Sequence, residues 1–313
     1  MLIITDSIFV VTIYYMPINP HTNSAYPQPG PELPQMVSYG HELDMSYDKI
    51  GEMRDSSDII NNSIELRRRY NDSGYLYIKG FFEREEVLNV RSALLEKIDG
   101  VGFKPEIAKE CEPLQKLLYT GKIMDFYKLI FGEEVRPYDY TWLRAIGPGK
   151  GTNPHCDLPY MGRGTHNQMT CWVPYGDVPY ELGGLMILEK SHKRLDILKK
   201  YAYRDVDVYC KNKKEDLAKV ENGEWVFSGT LSHNPPAIRN KFGHKWLVAD
   251  YKAGDLLTFN MLTVHAALDN QVPDSLRLSS DSRYQKASEP IDERWVGENP
   301  PGHGPDGKVG LVC

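Results

Sequence analysis

A histidine and an aspartate two residues apart, His155 and Asp157, lie in the stretch TNPHCDLP. Side chains alternate faces along a β-strand, so a strand over 153–160 would present an imidazole and a carboxylate side by side. A third donor, His265, follows the apolar, strand-like run opened by the turn Ala253-Gly254-Asp255. Two imidazoles and one carboxylate on an octahedral iron(II) leave three positions open, enough for a chelating cosubstrate and dioxygen (O2). A lone His-x-Asp pair is common by chance, so this assignment needs support from the rest of the chain.

That support comes from SLRLSSDSRYQ near the C-terminus. If it is a strand, Arg277, Ser279, Asp281 and Arg283 share one face. A buried guanidinium needs an anion. 2-Oxoglutarate, chelating iron through its keto-acid end, would offer its distal carboxylate, and a bidentate arginine matches that group best. Arg277 and Arg283 are six residues apart, which is roughly 20 Å along a strand, so only one reaches that carboxylate. Arg277, twelve positions after His265 across the turn-forming Asp269–Ser275, is assigned to it. Arg283 is left to a structural or substrate-facing pair.

The elements that must hold these residues fall into two textures. Helix-compatible residues 58–70 precede an aromatic, β-branched run at Gly74–Ile78. Val87, Val90, Leu94 and Ile98 then recur at helical spacing, and a broader apolar stripe runs from Leu114 to Ile130 and stops at Phe131-Gly132. From Val135 onward short strand-like runs alternate with Gly, Pro, Asn and Asp. Strands are expected near 138–145, 153–160, 169–174, 185–188, 247–251, 256–259, 262–266 and 276–284. The fold class is therefore mainly β with flanking helices, a cupin-like jelly roll.

Length and composition fit one elaborated domain. The 313 residues are 41% hydrophobic with a net charge of −6, ample for a core and unsuited to neutralising a phosphate backbone, so nucleic acid is not an expected partner. Five scattered cysteines with no C-x-x-C pair argue against a disulfide framework or cysteine zinc site and point to a reducing, cytoplasmic setting. The apolar run at 1–16 has no basic start, contains Asp6 and is too short to cross a bilayer, so it reads as a tail and no membrane partner is expected. Residues 1–57 are expected as an irregular N-terminal arm and 58–290 as a single oxygenase domain. Its jelly-roll core spans about 136–285, with an insertion at 193–246, and 291–313 form a C-terminal tail. The glycine-rich GPGKGT at 147–152 lacks the spacing of a phosphate-cradling loop and precedes an expected strand, so it reads as a turn.

Taken in order, His155-x-Asp157, Trp172, GGLMILEKSHK, Ala253-Gly254-Asp255 with His265, Arg277 and the ending Arg283-Tyr284-Gln285 resemble the phytanoyl-CoA dioxygenase family. The resemblance covers about Gly74 to Gln285. It implies a double-stranded β-helix, a jelly-roll variant, and an oxygenase that uses Fe(II), 2-oxoglutarate and O2. It also implies metal ligands at His155, Asp157 and His265 and a cosubstrate salt bridge at Arg277. Trp172 matches a tryptophan that lines the cosubstrate pocket in relatives, with a core aromatic as the alternative. Ala267 departs from the family, several members of which carry a hydroxyl there to help hold 2-oxoglutarate. Asp157 favours oxygenation, because related halogenases have a small residue in its place.

The activity expected from the resemblance is hydroxylation of an aliphatic C–H of a small-molecule or acyl substrate, with release of succinate and carbon dioxide. The substrate is open between a CoA thioester and a secondary metabolite. Residues 193–219 carry nine Lys or Arg against five Asp or Glu, which reads either as a landing site for an acidic substrate or as a solvated lid. Two other classes stand as alternatives: a demethylating oxygenase acting on nucleic acid or protein, and a non-catalytic jelly-roll binding module.

Overall fold

The computed structural model describes residues 33–98, 103, 106–208, 213–222 and 224–303. The apolar run at 1–16 lies outside them, as do residues 304–313 of the expected tail.

Two sheets face one another. The larger runs in the order Tyr75–Ile78, Leu256–Asn260, Gln168–Pro174, Arg277–Lys286 and Val135–Pro137, with Trp142–Ile146 also paired to Arg277–Lys286. The smaller runs His265–Ala267, Leu185–Leu188, Trp246–Val248 and Ile50–Glu52. Every pairing is antiparallel except the last, which is parallel. From Gln168 onward the chain passes repeatedly between the sheets, and the result is the double-stranded β-helix.

Alternation along the strands sorts the side chains into layers. Tyr75, Tyr77, Trp172, Leu257 and Phe259 of the larger sheet meet Leu185, Ile187, Leu247 and Ala267 of the smaller one in the interior. Their neighbours Leu76, Ile78, Cys171, Val173, Leu256, Leu278 and Tyr284 face the other way, onto the stripes Val87–Val90–Leu94 and Leu114–Ile130 of the N-terminal helices. Each fully buried aliphatic or aromatic side chain there contributes about 1.5–3 kcal/mol of transfer free energy. The helix Ser63–Ser73 starts where the Asn62 side chain accepts from the Glu65 N–H, and it ends at Gly74 in the left-handed region, φ 81°. A Cβ at Gly74 would lie 2.4 Å from His192 Nδ1, so both conformation and space demand glycine.

Several expected boundaries are corrected. No strand covers 153–160: Asp157 is helical (φ −78°, ψ −22°) and caps a short helix, Leu158–Met161. Pro159 explains this, since proline suits a first helical turn and has no N–H to give a sheet. Residues 33–57, expected as an irregular arm, contain the strands Val37–Ser38, His41–Glu42 and Ile50–Glu52 and bury Met36, Leu43 and Ile50. Within the insertion, the helices Leu195–Ala202 and Pro235–Phe242 supply Leu198, Ala202, Ile238 and Phe242 to the layer behind the smaller sheet. Trp295, from the expected C-terminal tail, joins the same layer.

Candidate active site

His155 and His265 are brought together by backbone. Each donates its N–H to the other's carbonyl, at 3.0 and 2.9 Å, and their rings lie 4.3 Å apart. In both, Nδ1 faces a backbone carbonyl two residues back, Asn153 at 2.8 Å and Thr263 at 3.0 Å. A carbonyl accepts only from a protonated Nδ1, so the Nε2 lone pairs are left for a metal. Burial, and then the neighbouring His265, push the His155 imidazole down to about 4, which keeps it neutral.

Asp157 completes the cluster from the helix cap rather than from a strand. Its N–H donates to the Met261 carbonyl at 3.0 Å, pinning the loop beside the turn that leads to His265. Oδ2 accepts from Thr170 Oγ1 and from Arg283 Nη2. Oδ1 remains, 4.0 Å from His155 Nε2 and 3.7 Å from His265 Nε2. Burial alone would raise this carboxyl, but the Arg283 guanidinium holds it well below the usual carboxylate range. Among the described residues the three side chains form a group whose ligand atoms all lie within 4.8 Å of one another. Two imidazoles and a carboxylate suit a divalent first-row metal, and a facial set of this kind suits iron(II).

Arg277 is buried on the larger sheet, on the face it shares with Arg283. It is 2% exposed, and its Nε and Nη1 have no partner. Burial lowers it to about 10, so it remains a cation at neutral pH. Its guanidinium carbon lies 5.8 Å from the centre of the Trp172 ring. Trp172 is thus both a core aromatic, edge-on to Tyr251 at 4.7 Å, and a wall beside Arg277. A buried, unpartnered cation of this kind fits an anionic ligand. Ser279, two residues on along the same face, also has a buried hydroxyl without a partner. Parity had placed it on that face; what was not readable is that its hydroxyl stays unbonded beside Arg277.

The sequence did not disclose how Arg283 is used. It donates to the Asp157 carboxylate, and it also lies 3.2 Å from Met161 Sδ and 4.5 Å from the Trp142 ring centre. Thr170 was likewise missed; its only signal is that it stands directly opposite Arg283 in the strand register. The GPGKGT segment is a turn with a positional task. Asp269 accepts from the N–H groups of Gly151, Tyr39 and Gly40 at 2.6, 2.7 and 2.8 Å, tying this turn and the N-terminal segment to the strand that begins at His265.

The phytanoyl-CoA dioxygenase family model matches residues 70–277. The chain belongs to the phytanoyl-CoA dioxygenase family. Two curated relatives are 1-deoxypentalenic acid 11-beta-hydroxylases. The one from Streptomyces arenae is 24% identical over 270 residues, 77% of this chain and 87% of the relative. The one from Streptomyces exfoliatus is 21% identical over 268 residues, with the same coverage of 77% and 87%. Among solved structures, the non-heme alpha ketoglutarate dependent carbocyclase SnoK from nogalamycin biosynthesis superposes with TM-score 0.55 at 19% identity, covering 77% of this chain and 90% of its own. EctD from S. alaskensis gives TM-score 0.55 at 15% identity, covering 87% and 94%. Both show this phytanoyl-CoA dioxygenase member to share their fold.

Proposed function

We propose that this protein is an iron(II)- and 2-oxoglutarate-dependent dioxygenase that hydroxylates an aliphatic C–H of a small molecule. The observation that carries this reading is an interior between two sheets that holds both the His155–Asp157–His265 cluster and a buried cation, Arg277, with unpartnered donors. Bound iron and 2-oxoglutarate supply oxidation of the C–H by dioxygen, with release of succinate and carbon dioxide. The chain's own residues do the rest. His155 and His265 offer Nε2, and Asp157 offers Oδ1 while Thr170 and Arg283 hold its other oxygen in place. Arg277 and Ser279 grip the distal carboxylate of the cosubstrate, the hydroxyl of Ser279 serving where relatives use one at the position of Ala267. Trp172, Tyr251 and Leu257 close the interior against water. The protein thus supplies ligation, orientation and a dry cavity, and the metal and cosubstrate carry the chemistry.

A secondary metabolite suits the site better than a CoA thioester. The curated relatives are named for action on 1-deoxypentalenic acid. In addition, cations at the start of the insertion are already engaged: Lys193 with Asp72, Arg194 with Asp196, and Arg204 over the ring of Phe227. No helix among the described residues is long and apolar enough to cross a membrane, and the buried free thiols Cys111, Cys156 and Cys171 suit a reducing, cytoplasmic setting. The test is to load the protein with iron anaerobically, measure metal content, and screen secondary metabolites and CoA thioesters for succinate release. His155→Ala and His265→Ala should each lose stoichiometric iron and all turnover. Unchanged iron in both variants overturns the assignment.

A further inference from the structure

His155 and His265 exchange both of their backbone bonds with each other. In an antiparallel pair the groups flanking such a residue point the opposite way, so the Pro154 carbonyl and the Cys156 N–H face away from His265. Both residues are buried, and a buried backbone group needs a partner. The partners come from the insertion. The Leu231 N–H donates to the Pro154 carbonyl at 2.9 Å, and the Cys156 N–H donates to Tyr201 Oη at 3.2 Å. The Tyr201 hydroxyl donates in turn to the Gly229 carbonyl. Residues 228–232 thus form a strap along the edge of the His155 segment that His265 leaves open.

The strap also holds side chains on either side of the imidazole. The Tyr160 hydroxyl donates to the Ser228 carbonyl at 2.9 Å, and its ring stands edge-on to His155 at 5.7 Å. Gly229 permits this approach: its φ is +76°, and a Cβ there would fall 2.2 Å from Tyr160 Cζ. On the other side, Asn153 Nδ2 donates to Thr230 Oγ1 at 2.7 Å. Asn153 is the residue whose carbonyl faces His155 Nδ1 at 2.8 Å. A hydroxyl 77 residues away in sequence therefore steadies the group that sets the tautomer and plane of one imidazole. His155 is the more exposed of the two, 18% against 6% for His265, so it is the one that depends on outside support.

We propose that Thr230 is a positioning residue for the metal site, acting on His155 through Asn153, so that this part of the insertion belongs to the frame of the site. This rests on the metal ligands assigned in the dioxygenase reading above. The test loads the full chain with cobalt(II) and records proton spectra in water. An imidazole bound through Nε2 keeps its Nδ1 proton, so His155 and His265 should each give a strongly shifted, solvent-exchangeable signal. Proximity to Phe259, whose ring centre lies 4.5 Å from that of His265, identifies the His265 signal. Thr230→Val should shift the His155 signal and speed its exchange with water, leave the His265 signal in place, and weaken cobalt(II) about tenfold in chelator competition. Thr230→Ser, which keeps the hydroxyl, should restore both. Asn153→Ala removes the other end of the same bond and keeps the carbonyl. It should match Thr230→Val, and the double variant should be no worse than either. Either single variant decides the question if the other fails to fold. A His155 signal that stays unchanged, a change shared equally with His265, or losses that add in the double variant overturn the proposal. A wild-type protein that takes up no cobalt(II), or takes it up without the two exchangeable signals, overturns the ligand assignment itself and this proposal with it.

Discussion

Arg283 Nη2 donates to Asp157 Oδ2 at 3.1 Å, and each side chain is only 4% exposed. The guanidinium therefore decides which oxygen of the Asp157 carboxylate is free for the proposed metal. Oδ2 is held on the protein side, and Oδ1 is left nearest the two imidazoles. A second interaction that orients a ligand is typically worth tenfold to a hundredfold in metal affinity.

Arg283→Lys should consequently lower iron affinity by about ten- to a hundredfold. The metal-loaded variant should still bind 2-oxoglutarate as the wild type does. Competition with a chromogenic chelator measures the first quantity, and unaltered iron affinity would mean that the Arg283–Asp157 pair only packs.

Arg277 should show the opposite pattern. Lysine cannot reproduce the planar fork, so Arg277→Lys should weaken 2-oxoglutarate by roughly 1.5–3 kcal/mol, about ten- to a hundredfold, with iron retained. Ser279→Ala should cost roughly 1.5–3 kcal/mol, as the loss of one hydrogen bond to a carboxylate does. Following the metal-to-ligand absorption band during anaerobic titration reads both. Because an unpaired buried cation destabilises a fold, Arg277→Met should also raise the melting temperature of the metal-free protein; a lowered one would mean that Arg277 is held by interactions other than a future ligand.

Asp207 supplies a pH dependence away from the metal. Its fully buried carboxylate accepts from Arg294 Nη1 at 2.6 Å and from His303 Nδ1 at 2.7 Å. Burial opposes ionisation, but these partners hold the carboxyl below its ordinary value. A depressed folded pKa means stabilisation that is present above the unfolded value, near 3.9, and lost as pH falls through the lower folded value. Asp207→Asn should cost about 3 kcal/mol at pH 7, and the gap to wild type should close below about pH 4. Urea denaturation across that range checks it; a gap independent of pH would mean that lost packing, not charge, sets the cost.

The grouping of His155, Asp157 and His265 was legible in the sequence, though not for the reason that makes it so. His155 and Asp157 face one another without sharing a strand. Pro159 starts a helix, and the bridge to His265 supplies the orientation that alternation was expected to give. Alternation did place Arg277, Ser279 and Arg283 correctly, because Arg277–Lys286 is a long regular strand. Which group Arg283 touches depends on where the loop at 155–161 comes to rest, and no local pattern encodes a contact 126 residues away in sequence. The strand Ile50–Glu52 escaped notice for a related reason. It is three residues long, too short for its side chains to show a period.

That strand also bears on the order of assembly during synthesis. Ile50 pairs with Trp246, so this segment must wait on the ribosome for a partner made almost two hundred residues later. His155 waits in the same way for His265. A nascent chain halted before that histidine holds two of the three proposed ligands and lacks the strand that aligns them. Long-range pairing of this kind slows folding, and a metal held by these three side chains could be captured only after His265 has been made.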